Sequence, residues 1–127
     1  MSTYNIENFR PQGGVKVSNH TANYTVSADE SGKVFFAKAV DLVFTLPATE
    51  AGLRYTFIVH TASAVTGLSI SPAAADAIHG NGLTSVDDKD LINTAATDAE
   101  GDSVTIEGDG VDGWWIVAIN GTFAKEA

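Results

Sequence analysis

Cysteine is absent from the 127 residues, so neither disulfides nor thiolate ligation of a metal can hold the chain together. Histidine and proline occur three times each. His20, His60 and His79 show none of the i,i+2 or i,i+4 spacing of a histidine metal motif, and no acid stands beside them in a recognisable ligand position. No run approaches the roughly 18 apolar residues of a membrane helix, and the first fourteen residues lack the basic and apolar regions of a secretory signal. The expectation is a chain made in the cytosol with no membrane partner. There is no G-x-S-x-G or H-E-x-x-H, and the glycines are scattered rather than gathered into a phosphate loop. Adjacent acids such as Asp87 and Asp88 would face opposite sides of a strand. The inventory points away from an enzyme and implies no cofactor.

Basic residues are also scarce: seven Lys and Arg against sixteen Asp and Glu give a net charge of −9. The imbalance is uneven. Residues 1–63 hold five acids and five bases, whereas residues 64–127 hold eleven acids against Lys89 and Lys125, and so carry the whole excess. That half should repel phosphate backbones, which makes nucleic acid an unexpected partner.

What is present is strand, turn, strand. Leu42, Phe44 and Leu46 alternate with Val43 and Thr45, and Tyr55, Phe57 and Val59 alternate with Thr56, Ile58 and His60. This is the period-2 pattern of half-buried strands. Tyr24–Val26, Val34–Ala39, Leu68–Ser71, a short strand from Ile78, and Leu91 with Ile92 read in the same way, while Ala73–Ala77 fits one helical turn. Ser103–Glu107 and Trp114–Ile119 form a final hairpin around a turn rich in Gly and Asp. About eight short strands punctuated by turn residues predict an all-β domain, a single antiparallel β-sandwich or a β-barrel, over residues 21–127. Residues 1–20 differ: Tyr4, Ile6 and Phe9 are isolated among Asn, Gln, Pro and Gly. This segment reads as an extended N-terminal arm, either a frayed tail or a strap anchored in a neighbour's pockets.

Two places invite a sharper reading. Asp98, Glu100 and Asp102 resemble the start of a calcium loop, but Ser103 stands where that loop needs glycine and Asp109 where it needs glutamate. The plainer reading is that these aspartates, with Asp109 and Asp112, accept backbone hydrogen bonds in turns. Trp114 and Trp115 point to opposite faces of a strand, so alternation puts at most one in the core. The other is a subunit-interface residue, or a platform on which a sugar could stack beside Asp109 and Asp112.

The order Tyr24-Thr25-Val26, Ser31-Gly32-Lys33-Val34-Phe35, Phe44-Thr45-Leu46-Pro47-Ala48 and Tyr55-Thr56-Phe57-Ile58-Val59 resembles a recurring β-domain of tailed-bacteriophage virion proteins. Leu68-Ser69-Ile70-Ser71-Pro72, Gly101-Asp102-Ser103-Val104-Thr105-Ile106 and Trp115-Ile116-Val117 continue the likeness, which covers about residues 24–123. The domain occurs in capsid decoration (cement, head-stabilisation) proteins and in fibre or appendage proteins. The resemblance implies a β-sandwich or tulip-like barrel, generally a homotrimer, on the outer surface of the virion, bound where major capsid protein subunits meet. An N-terminal arm often makes part of that contact, and by position Tyr4, Ile6, Phe9 and Arg10 are the expected capsid-contact residues. The alternative implied is a carbohydrate- or receptor-binding domain of a fibre or baseplate appendage.

Overall fold

The computed structural model describes residues 16–63 and 65–127. Eleven strands fall into two packed sheets. They are β1 Val17–His20, β2 Tyr24–Thr25, β3 Val34–Ala37, β4 Val43–Thr45, β5 Arg54–Val59, β6 Ser69–Ser71, β7 Ala77–His79, β8 Leu91–Asn93, β9 Ser103–Gly108, β10 Gly113–Asn120 and β11 Phe123–Lys125. One sheet has six strands in the order β1-β3-β5-β9-β10-β7, and the other has five in the order β11-β8-β6-β4-β2. The all-β sandwich expected from the alternating pattern is present, as two separate sheets rather than a closed barrel.

The pairing corrects one expectation. The sandwich is not purely antiparallel, because the chain changes sheet after every strand from β1 to β9. Successive strands of one sheet therefore run the same way: β1, β3 and β5 are parallel, as are β2, β4 and β6. Antiparallel pairing enters the five-stranded sheet where β8 lies between β6 and β11, and the six-stranded sheet where β9 returns beside β5 and turns directly into β10. Three further readings shift. Val17–His20, placed in the arm, form the edge strand β1; Phe123–Lys125 add β11; and Ala73–Ala77 contain a turn and the start of β7 rather than a helical turn.

Alternation decides the core. Tyr55, Phe57 and Val59 of β5 point inward against Phe35 and Ala37 of β3 and Val104 and Ile106 of β9. From the facing sheet come Phe44, Ile70 and Leu91. Phe35, Phe44 and Phe57 meet with ring centroids 5.2–5.8 Å apart, and Tyr55 lies 5.6 Å from Trp114. Such tilted and offset pairs suit the aromatic quadrupole and add to the burial of apolar area. Burial pushes the Tyr55 phenol up to about 12, and its hydroxyl donates to the Ser27 carbonyl at 2.9 Å.

Changing sheet leaves backbone N–H groups without ladder partners in the connections, and aspartates accept many of them. Asp41 takes the N–H of Thr66 and Gly67, Asp76 that of Thr49, Asp98 that of Ser63, and Asp102 that of Ala99. Asp98 and Asp102 thus do in the structure what the turn reading assigned to them.

Candidate functional site

Strand register arranges the outward residues of the six-stranded sheet in three rows. Arg54, Glu107, Trp115 and His79 form the first. Val17, Val34, Thr56, Thr105 and Ala118 form the second, and Asn19, Phe36, Ile58, Ser103 and Asn120 the third. A β-bulge keeps the pattern intact along β10. Register shifts between Ile116 and Ala118, so that Ile116 and Ile119 both pair with inward residues, Ile106 and Val104. The extra residue, Val117, is left 47% exposed. One inserted residue restores the face that a plain alternation would have lost.

The two tryptophans separate as alternation requires. Trp114 is fully buried in the core, so it is removed from the surface and offers nothing to a sugar or a subunit. Trp115 is 45% exposed, and it is held on two sides. Its indole Nε1–H donates to Asp109 Oδ2 at 2.8 Å, and its ring stacks on His79 with centroids 4.5 Å apart and an interplanar angle of 18°. His79 is itself tied to Ser85 Oγ through Nδ1 at 2.8 Å. An exposed aromatic ring held in this way loses little conformational freedom when a partner covers it.

Asp109 is the organiser of the hairpin turn. Its Oδ1 accepts the N–H groups of Val111, Asp112 and Gly113 at 2.8–3.0 Å. The hydrogen bonds from Gly113 and Val111, with those from Trp115 and Asp112, hold its carboxyl well below the usual carboxylate range. Oδ1 is filled by the protein's own donors, so the main task of this carboxylate is to fix the turn and, through Oδ2, the indole. Asp112 is exposed, and its carbonyl accepts the N–H of Ala77.

The remaining outward charge is self-neutralised. Arg54 Nη1 lies 2.8 Å from Glu107 Oε1 across the β5–β9 pair. Beside it, the Thr56 and Thr105 hydroxyls hydrogen-bond each other at 2.8 Å. These three rows therefore offer apolar contact, one rigid indole, an imidazole and a few hydroxyl and amide groups, and their one guanidinium and one carboxylate are paired. The other histidines lie elsewhere. His20 packs under Tyr24, with ring centroids 4.1 Å apart, and burial lowers its pKa; His60 is exposed at the end of β5.

Tyr4, Ile6, Phe9 and Arg10 lie outside the described residues. The outer face itself was not legible as a unit in the sequence, because its rows are assembled from strands far apart in the chain. The uncharged alternate positions Val34, Phe36, Thr56 and Ile58 were its only local trace. No protein-family model matches the chain, and no curated protein matches its sequence.

Proposed function

We propose that the protein is a non-enzymatic structural component of a virion, a decoration protein that binds the outside of a phage capsid. It acts there as a homotrimer that bridges neighbouring major capsid protein subunits. The observation that carries this reading is the six-stranded sheet's outer face, whose rows mix apolar residues with uncharged polar ones around one paired Arg54–Glu107, on a chain of net charge −9. A surface of this kind suits contact with protein rather than turnover of a small substrate. The resemblance of residues 24–123 to the virion β-domain supports the same reading. The mechanism is multivalent burial: each subunit contributes a modest contact, and a trimer touching several capsid subunits gains through effective concentration. The segment ahead of β1, with Tyr4, Ile6, Phe9 and Arg10, supplies the capsid contact, and the acidic loops face solvent.

The deciding experiment mixes purified protein with expanded, undecorated capsids. Saturable co-sedimentation and a higher temperature of capsid disruption are expected. Deletion of residues 1–14 should weaken binding. Capsids that neither retain the protein nor gain heat resistance would sink the proposal, and unchanged affinity of the truncated chain would remove the arm from it.

One observation favours a second reading, a carbohydrate- or receptor-binding domain of an appendage. Trp115 is exposed, and its ring is fixed by Asp109 and His79, which is the preorganisation a sugar-stacking platform requires. Saturable quenching of Trp115 fluorescence by host glycans, lost in Trp115→Ala, is its expected signature.

A further inference from the structure

We infer that the outer face of the six-stranded sheet is the surface through which copies of this chain meet. The inference rests on the homotrimeric reading above and adds to it the contact that the reading lacks.

Charge selects the occupant. A copy of a chain with net charge −9 can approach another closely only where neither presents uncompensated charge, since like charges brought together cost several kcal/mol. The second and third rows hold no ionisable side chain: Val17, Val34, Thr56, Thr105 and Ala118, then Asn19, Phe36, Ile58, Ser103 and Asn120. The first row holds one ion pair, Arg54–Glu107, whose partners already neutralise each other at 2.8 Å, and His79, whose ring is stacked on Trp115 and tied to Ser85. A cationic partner would instead be drawn to the acidic connections, where Asp87, Asp88 and Asp112 are exposed.

Apolarity then separates the two outer faces. The five-stranded sheet also presents uncharged outward rows, but they are mostly Ser, Thr and Ala, with Val43 and Ile92 as the larger apolar members. The six-stranded sheet leaves Val17, Trp115 and Val117 between 45% and 53% exposed, with Val34, Phe36 and Ile58 half-buried beside them. Trp115 is the anchor, an aromatic whose orientation is set before contact, as interface hot spots favour.

Size sets the strength. Rows of four or five strands spaced about 4.8 Å apart, three rows deep, present roughly 500 Å² in projection. That is below the ~800 Å² per partner of a standard stable interface, so association in free solution is concentration-dependent and is completed by the shared capsid contact.

Sedimentation equilibrium of the full chain over a wide concentration range tests this. The wild type is expected to self-associate. Ile58→Glu and Ala118→Glu, which place like charges against one another, should each raise the dissociation constant more than about tenfold. Val111→Glu, at the exposed tip of the β9–β10 turn, should leave it unchanged. Fluorescence of buried Trp114 confirms that each variant is folded. A wild type that stays monomeric, or face variants that associate like the wild type, would overturn the inference.

A second measurement does not depend on tolerating a charge. The chain has no cysteine, so Ala118→Cys supplies a unique thiol, expected to become resistant to alkylation as concentration rises. A thiol at 118 that is protected even in dilute monomer, and released by deleting residues 1–14, would assign the face to the chain's own N-terminal segment and refute the inference. The capsid assay keeps the two proposals apart. Self-association through this face without capsid binding would leave the inference standing and remove the decoration reading; capsid binding by a protein indifferent to both Glu substitutions would do the reverse.

Discussion

Asp109 and Trp115, six residues apart across the β9–β10 turn, are joined by a hydrogen bond of 2.8 Å from the indole Nε1–H to carboxylate Oδ2. The other carboxylate oxygen gathers the three N–H groups of Val111, Asp112 and Gly113. One side chain thus closes the turn and aims the exposed ring. Asp109→Asn keeps the size but loses the charge that strengthens all four bonds. Solvent screening at this exposed turn limits the expected loss to about 1 kcal/mol in chemical denaturation. A change in Trp115 emission should accompany it, while buried Trp114 remains unaffected.

The neighbouring tryptophans should respond very differently to truncation. Trp114→Ala removes a fully buried ring that packs on Tyr55, and is expected to cost about 3–5 kcal/mol or abolish folding. Trp115→Ala removes a ring that is 45% exposed and should cost about 1 kcal/mol. Equal losses would contradict the assignment of the two faces of β10.

Acid should destabilise the protein in two steps. Burial lowers the pKa of His20, so the unfolded chain takes up this proton first, and the stability tied to neutral His20 is lost as pH falls below about 6.5. Hydrogen bonds lower the carboxyls of Asp109 and Asp41. Glu30 is lowered as well: burial alone would raise it, but bonds from Ser27, Tyr24 and Lys33 outweigh that effect. These three groups contribute stability above the usual carboxylate range, and that stability is lost as pH falls below about 4. Denaturation midpoints measured across this range should show a shallow decline and then a steeper one. The steep part should be reduced in Asp109→Asn.

Two glycines with positive φ should tolerate alanine to very different degrees. Gly82, at φ 76°, forms a tight turn with Asn81 at φ 55°, and a Cβ there would meet open space. Gly82→Ala is expected to cost about 1 kcal/mol, the backbone penalty alone. Gly113, at φ 140°, is pressed against β7, where a Cβ would overlap the backbone of Ala77. Gly113→Ala must separate β10 from β7, and is expected to cost more than about 3 kcal/mol. Thermal denaturation of the pair checks both.

The strands themselves were largely legible in the sequence, because inward and outward alternation is a local property. Leu42, Phe44 and Leu46 are buried, as are Tyr55, Phe57 and Val59, and the final hairpin lies where Ser103–Glu107 and the tryptophans placed it. β1 escaped because Val17-Ser18-Asn19-His20 shows no apolar alternation; its inward residues are Ser18 and His20, paired with Phe35 and Ala37. The parallel pairing escaped for a different reason. A period of two says which way a side chain points but not which sheet the strand joins, and that is decided by contacts tens of residues away. Of the candidate site, the division of labour between Trp114 and Trp115 followed from alternation. The task of Asp109 in fixing the indole did not, since it depends on the three-dimensional course of the turn.

The change of sheet after every strand from β1 to β9 also governs how the molecule can come apart. Neither sheet is encoded by a continuous stretch of sequence, so a nick in any connection between β2 and β10 divides both sheets. The two layers must close together, through pairings distant along the chain, and such topologies fold slowly.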